Sequence, residues 1–233
     1  MIVFYALGTA ATKVLCNSTP SLISALLYKF LLTSEASARL RKACVQTLSN
    51  QKWGFNDGKI AKALVFVTLG HFATCLGDTL ASELGILSSA QPILVTTLKP
   101  CPPGTNGGIS LFGTGMSIVG GSIIGATVSI LQARFGVVHN IGTASFITVG
   151  ALAGFTGSML DSLLGATLQQ TLYDADEKKI LLDGAAEEQR KLVGVAANNQ
   201  VVSGLEVLTN NQVNFISSAT IALLSGFCGV YIL

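Results

Sequence analysis

The stretch HFATCLGDTLASELG, His71 to Gly85, ends a long apolar run and carries two carboxylates, Asp78 and Glu83. How that run is read decides the fold. In a soluble core these acids would be ordinary surface groups. At the end of a membrane span a carboxylate needs a partner or a wet cavity, since a charge at mid-bilayer costs roughly 2.5–3.5 kcal/mol on insertion scales. The rest of the chain favours the membrane. Charged residues make up 11% of the 233, against about 25% in soluble domains, and the mean hydropathy is +0.61. Half the residues are hydrophobic, and they fall in continuous blocks rather than alternating, which is the signature of spans.

Six apolar segments are predicted as spans, at residues 1–15, 18–32, 60–77, 111–131, 141–165 and 213–233. The last four approach the ~20 residues a helix needs to cross. The first two are short and interrupted by Lys13 and Lys29, so residues 1–59 are the least defined part. The runs are longer and more continuous than the alternating segments of about ten residues in a membrane β-barrel. The expected fold is therefore all-α: a polytopic transmembrane helix bundle of about six spans, forming a single membrane domain over residues 1–233. Met1 leads directly into IVFYALGTAATKVL without a basic n-region, so no cleavable secretory signal is expected.

Composition also excludes several classes. A net charge of +2 with no basic, aromatic-interleaved stripe argues against nucleic acid as a partner. Cys16, Cys44, Cys75, Cys101 and Cys228 form no C-x-x-C pair, so neither a zinc site nor a disulfide framework is expected. Basic residues do not orient the bundle. Arg39, Arg41, Lys42, Lys52, Lys59 and Arg134 fall on one side, and Lys13, Lys99, Lys178, Lys179, Arg190 and Lys191 on the other, which is no bias.

Residues 33–59 read as a basic loop, and residues 78–110 as a loop rich in Gly, Pro, Ser and Thr. Within 166–212, the mixed-charge stretch YDADEKKILLDGAAEEQRKL reads as a solvated loop or short surface helix. Two spans separate 78–110 from 166–212, so both emerge on the same side, and they hold the unusual polar clusters. In GDTLASELG, helical spacing puts Asp78 and Ser82 on one face and lines up Gly77, Ala81 and Gly85 as a small-residue stripe. The plain alternative makes Asp78 the first solvated residue past the bilayer.

In TTLKPCPPGTNGGIS, Thr96 to Ser110, Gly107 and Gly108 precede an apolar run. Amides exposed at a helix start form an anion site, to which Lys99 would add full charge; otherwise the stretch is a Pro/Gly turn. In GSMLDSLLGATLQ, Gly157 to Gln169, Asp161 is the only charge in its span, either functional or tied to a neighbouring helix by hydrogen bonds. In LTNNQVNF, Leu208 to Phe215, Asn210, Asn211 and Asn214 bring amides to a helix start, where any of them can be an N-cap.

These clusters repeat a plan. A span ends in an acid followed by Thr or Ser (Asp78-Thr79, Asp161-Ser162), a loop follows, and TNGGIS or TNNQVN opens the next span. This reads as a candidate parallel internal repeat. Two acids and two amide-rich starts on one face suit a magnesium–phosphate site, with carboxylates for the hard cation and amides plus a lysine for phosphate oxygens.

The stretches GDTLASELGILSSAQPILVTTLKPCPPGTNGGIS, GSMLDSLLGATLQ and LTNNQVNF resemble the membrane family that includes animal transmembrane protein 19 and the plant phytyl-phosphate kinases, over roughly residues 61–233. The resemblance implies a multi-span protein. For the plant branch it implies a CTP-dependent kinase acting on a prenyl (phytyl-type) monophosphate. The matching positions are Asp78, Glu83, Lys99, Thr105, Asn106, Gly107, Gly108, Asp161, Asn211 and Asn214. Leu80 stands where the family often has an aromatic residue, and Thr209 where an acid commonly precedes the paired asparagines. Members carry further spans ahead of the stretch holding Phe4, Thr12 and Lys13, and a basic loop before Val14–Asn17, so this chain reads as N-terminally shortened.

On this reading Asp78, Asp161 and Glu83 are the catalytic acids, and Asp78 and Asp161 hold Mg²⁺. Lys99, Thr105, Asn106, Gly107 and Gly108 bind nucleotide (CTP as donor), while Asn211 and Asn214 position the prenyl-phosphate lipid. The expected setting is a bilayer of endomembrane or plastid. The alternatives are a transporter using the same acids as ligands, and a non-catalytic membrane protein.

Overall fold

In the computed structural model, residues 18–30, 57–136, 138–175, 179–181 and 199–233 are described. Among these residues four helices are long and apolar enough to cross a membrane: α1 (Asp57–Gly85), α2 (Leu111–Phe135), α3 (Thr143–Leu168) and α4 (Asn210–Tyr231). They correspond to the last four expected spans. The expected span at 1–15 lies outside the described residues. Of the span at 18–32, residues 18–30 are helical and dock on α1, where Ser24 Oγ donates to the Leu64 carbonyl at 2.8 Å.

One boundary needs correcting. The apolar run stops at Gly77, but α1 continues through Asp78 to Gly85, so the loop predicted to start at 78 starts after 85. The reason lies in the small-residue stripe. Gly77 packs on Gly120, a Cβ at Gly113 would stand 2.9 Å from the Ala81 carbonyl, and one at Gly85 would stand 3.5 Å from Gly113 Cα. Close packing against α2 carries the helix past the point where its hydropathy fails.

α1 is central. It packs on α2, α3 and α4, while α2 and α4 flank the α1–α3 pair. Small residues permit the approach of α2 and α3. A Cβ on Gly121 would collide with the Gly150 carbonyl, one on Gly125 with the Phe146 carbonyl, and one on Gly154 would lie 2.5 Å from the Ser117 carbonyl. Away from the loops, Phe66 and Phe146 stack at 5.3 Å between centroids in an apolar cluster with Leu69 and Val149.

The all-α expectation also needs correcting on the loop face. β1 (Ile93–Leu94) pairs antiparallel with β2 (Gly108–Ile109). β3 (Thr171–Asp174) is flanked antiparallel by β4 (Lys179–Leu181) and β5 (Asn199–Ser203). Of the stretch read as a solvated loop or short surface helix, the described residues include the end of β3 and all of β4, so these parts belong to a sheet rather than to a surface helix. The segments TLYD, KIL and NQVVS carry the β-branched and aromatic residues that favour a half-buried pleated surface.

Candidate functional site

The site forms at the ends of the four spans on the face carrying both loops. Asp78 stands seven positions before the end of α1, and Asp161 seven before the end of α3. Because α1 and α3 pack directly, both acids line one cleft of about 790 Å³. Asp78 is therefore not the first solvated residue past a span.

Each carboxylate is held by one oxygen. Ser158 Oγ, buried on α3, donates to Asp78 Oδ1 at 3.1 Å. Ser217 Oγ on α4 donates to Asp161 Oδ2 at 3.0 Å. The Asn214 amide, turned nitrogen toward the acid, lies 3.0 Å from the same oxygen and 3.2 Å from the Asn210 carbonyl. Among the described residues, Asp78 Oδ2 and Asp161 Oδ1 accept no hydrogen bond, and neither is sealed from the cleft. Ser158 and Ser217 were not singled out from the sequence. The signal for Ser158 was its shared face with Gly154, and for Ser217 its place one turn after Asn214.

Charge in the cleft is one-sided. Among the described residues its charged lining is Asp78, Glu83 and Asp161, with no Lys, Arg or His. Glu83 is exposed on the wall and does not gather with the two aspartates into a group of three potential metal ligands. Thr105, Asn106, Gly107 and Gly108 line the cleft, as do Asn211 and Asn214. Lys99 does not. It is exposed at a tight turn where Leu98 takes a left-handed φ of 54°, and the Lys99 carbonyl accepts from the Leu94 amide.

The TNGG segment is used differently from the expected anion cradle. The amides of Thr105 and Gly108 bond to the Pro102 and Thr105 carbonyls at 3.2 and 2.9 Å. The Asn106 amide donates to Thr171 Oγ1 at 3.1 Å, and Ser203 Oγ donates to the Asn106 carbonyl at 3.4 Å. The turn is closed on itself and buttressed by the sheet, so it offers the cleft side chains rather than a row of amides. Gly107, at φ 79°, is seated on α3 so closely that a Cβ would collide with Ala166. Helix α2 is started separately by Ser110, whose Oγ accepts from the Gly113 amide at 3.0 Å.

At α4 the N-cap is Thr209, in a capping box with Gln212, and the Thr209 amide donates to Gln212 Oε1 at 2.8 Å. Capping therefore falls to Thr209, leaving Asn211 and Asn214 facing the cleft. Beneath the acids lies a second cavity of about 20 Å³, lined by Thr74, Cys75, Ser217 and Ser218 as well as both aspartates, enough room for one water.

Residues 6–222 match the family described as integral membrane protein DUF92, and the chain belongs to that family. It is 38% identical over 185 residues to Protein PGR of Arabidopsis thaliana, covering 76% of this chain and 58% of that protein. It is 33% identical over 102 residues to an uncharacterised membrane protein of Methanocaldococcus jannaschii, covering 44% of this chain and 39% of that one. It is 36% identical over 110 residues to an uncharacterised membrane protein of Synechocystis, at 45% and 39%. The chain thus spans between two fifths and three fifths of the relatives it matches. No solved structure matches it.

Proposed function

We propose that this DUF92-family integral membrane protein is a cation-dependent phosphotransferase that uses a nucleotide, CTP on the family resemblance, to phosphorylate a prenyl-type monophosphate lipid. The observation that carries the reading is the pair Asp78–Asp161. Two acids from adjacent helices are each fixed by one oxygen and leave the other toward a cleft that has no basic side chain among the described residues. An anionic substrate enters such a cleft only with a cation to offset the carboxylates.

The donor set suits Mg²⁺. That ion binds through one or two carboxylates plus substrate phosphates and keeps several waters. Asp78 and Asp161 would hold it, and when bound it supplies charge neutralisation along a polyphosphate. The protein's own part is orientation. Ser158, Ser217 and Asn214 hold the carboxylates in place, and Thr105, Asn106 and Asn211 offer neutral polar contacts to the substrates. Lys99, outside the cleft lining, has no role in this reading, and Glu83 acts through the cleft's charge rather than as a third ligand. The equivalent placing of the two acids near the ends of α1 and α3 supports the parallel-repeat reading.

The test is transfer of radiolabel from γ-labelled CTP to phytyl monophosphate by protein in proteoliposomes. Magnesium-dependent product is expected, and none from Asp78→Asn, Asp161→Asn protein. Undiminished product from that double variant would remove the site.

A second reading, transport, is favoured by the small polar cavity beneath the acids. Against it, a conduction path needs polar groups spread across the bilayer, and the far half of the bundle is closed by glycine contacts and the Phe66–Phe146 stack. Solute flux abolished by Asp161→Asn, without nucleotide turnover, would support transport instead.

A further inference from the structure

The antiparallel helices α2 and α3 keep a regular register through the middle of the bilayer, pairing Gly125 with Phe146, Gly121 with Gly150 and Ser117 with Gly154. Carried one and two turns toward the loop face, that register pairs Gly113 with Ser158 and Ile109, just ahead of α2, with Ser162. All four residues line the cleft instead. The helices part there. The gap is closed below by the Ser117–Gly154 contact and above by Gly107, whose Cβ position would lie 2.5 Å from the Ser162 carbonyl. Ser162 stands eight positions after Gly154, about 12 Å along the helix.

The outer side of this gap lies on the exposed surface of the bundle. On α3, Leu152, Thr156 and Leu163 form an exposed stripe at helical spacing, and Met159 falls on the same stripe. Yet Met159, half-buried, also lines the cleft, so its side chain is what stands between the cleft and the exposed surface of the bundle. Across the gap, Leu111, Gly115 and Ile118 of α2 are exposed, and a Cβ at Gly115 would meet nothing within 4 Å.

We propose that the opening between α2 and α3, with Met159 at its sill, is a lateral window through which the hydrocarbon tail of a phosphate-headed lipid extends into the bilayer while the headgroup occupies the cleft. Resting on the phosphotransferase reading, this assigns the acceptor class: an amphiphile delivered from within the membrane, its specificity for tail set by the window and not by the acids. A polar head beside Asp78 and Asp161 and an apolar exit one turn away fit a prenyl monophosphate better than a water-soluble acceptor.

The test uses proteoliposomes containing wild-type protein and phytyl monophosphate carrying a diazirine in its tail. Irradiation is expected to place adducts on α2 and α3 at Gly115, Ile118 and Met159. Adducts confined to the α1–α4 side, or none above a phosphate-free diazirine alcohol, would overturn the window. Photolabelling needs no turnover, so it judges the window even if the phosphotransferase reading fails. CTP-dependent turnover with adducts elsewhere would keep that reading and reject the window. As a second arm, Met159→Trp should lower kcat/KM for phytyl monophosphate by about 100-fold, the order expected when a substrate is misplaced by about an ångström. Leu224→Trp, equal in bulk and lipid-exposed on α4, should leave it unchanged. Equal behaviour of the two variants would count against the window.

Discussion

The two halves of this bundle are built from the same helices and serve opposite ends. In the half away from the loops, α2 and α3 meet through glycine, Phe66 stacks on Phe146, and α4 closes on α1 where Gly229 abuts the Phe66 ring. In the loop-side half α2 and α3 part around a cleft holding Asp78, Asp161 and several serines and asparagines, while α1 stays packed on α2 as far as Gly85. The difference shows how a membrane protein tolerates intramembrane carboxylates: a tightly packed, side-chain-poor half fixes the helix ends, so that acids with few partners are held close together.

That contrast can be broken at either end. The largest effect is expected from Asp161→Asn or Asp78→Asn, which should reduce nucleotide-dependent phosphorylation by about 100-fold or more while leaving the thermal midpoint in detergent near wild type. Loss of folding with loss of activity would make the acids structural. Next comes Gly121→Val. Its side chain has no room before the Gly150 carbonyl, and overpacking of this kind costs about 1–3 kcal/mol or more. A clear fall in the thermal midpoint is expected there, against none for Gly115→Ala, which faces open space; equal midpoints would mean that the close approach of α2 and α3 is not what holds the far half.

Smaller is Thr171→Val, which removes the acceptor for the Asn106 amide. About 1 kcal/mol of stability should go with that bond, and the loop's grip on nucleotide should weaken, read as a raised KM that Thr171→Ser restores. An unchanged KM would detach the sheet from the site. Smallest is Thr209→Ala at the α4 cap, about 1 kcal/mol, measured as a shift in midpoint alone.

Much of the helical half was legible in the sequence, because a span must be long and apolar and the last four runs are both. The end of α1 was not. Hydropathy stops at Asp78, whereas the helix is carried to Gly85 by contacts of Gly77, Ala81 and Gly85 with α2, and contacts of that kind leave no mark on an apolar profile. The stripe itself was readable from spacing; what it packed on was not. The convergence of Asp78 and Asp161 on one face followed from counting spans, but their serine partners required the register of α3 and α4. Nothing local in TNGG says that the Asn106 amide is spent, since the hydroxyl that receives it is on Thr171, 65 residues away. The sheet that carries Thr171 was hidden for a similar reason: TLYD, KIL and NQVVS are too short and too separated to read as strands alone.

The central claim is that Asp78 and Asp161 share one divalent cation at the membrane boundary. Titration of Mn²⁺ into the protein in nanodiscs, followed by electron paramagnetic resonance, tests it most directly. The account predicts a bound-manganese signal in the wild type that is lost in Asp78→Asn and in Asp161→Asn alike, and that tightens when CTP is added. Manganese binding that survives both substitutions, or that depends on one acid and ignores the other, would contradict it.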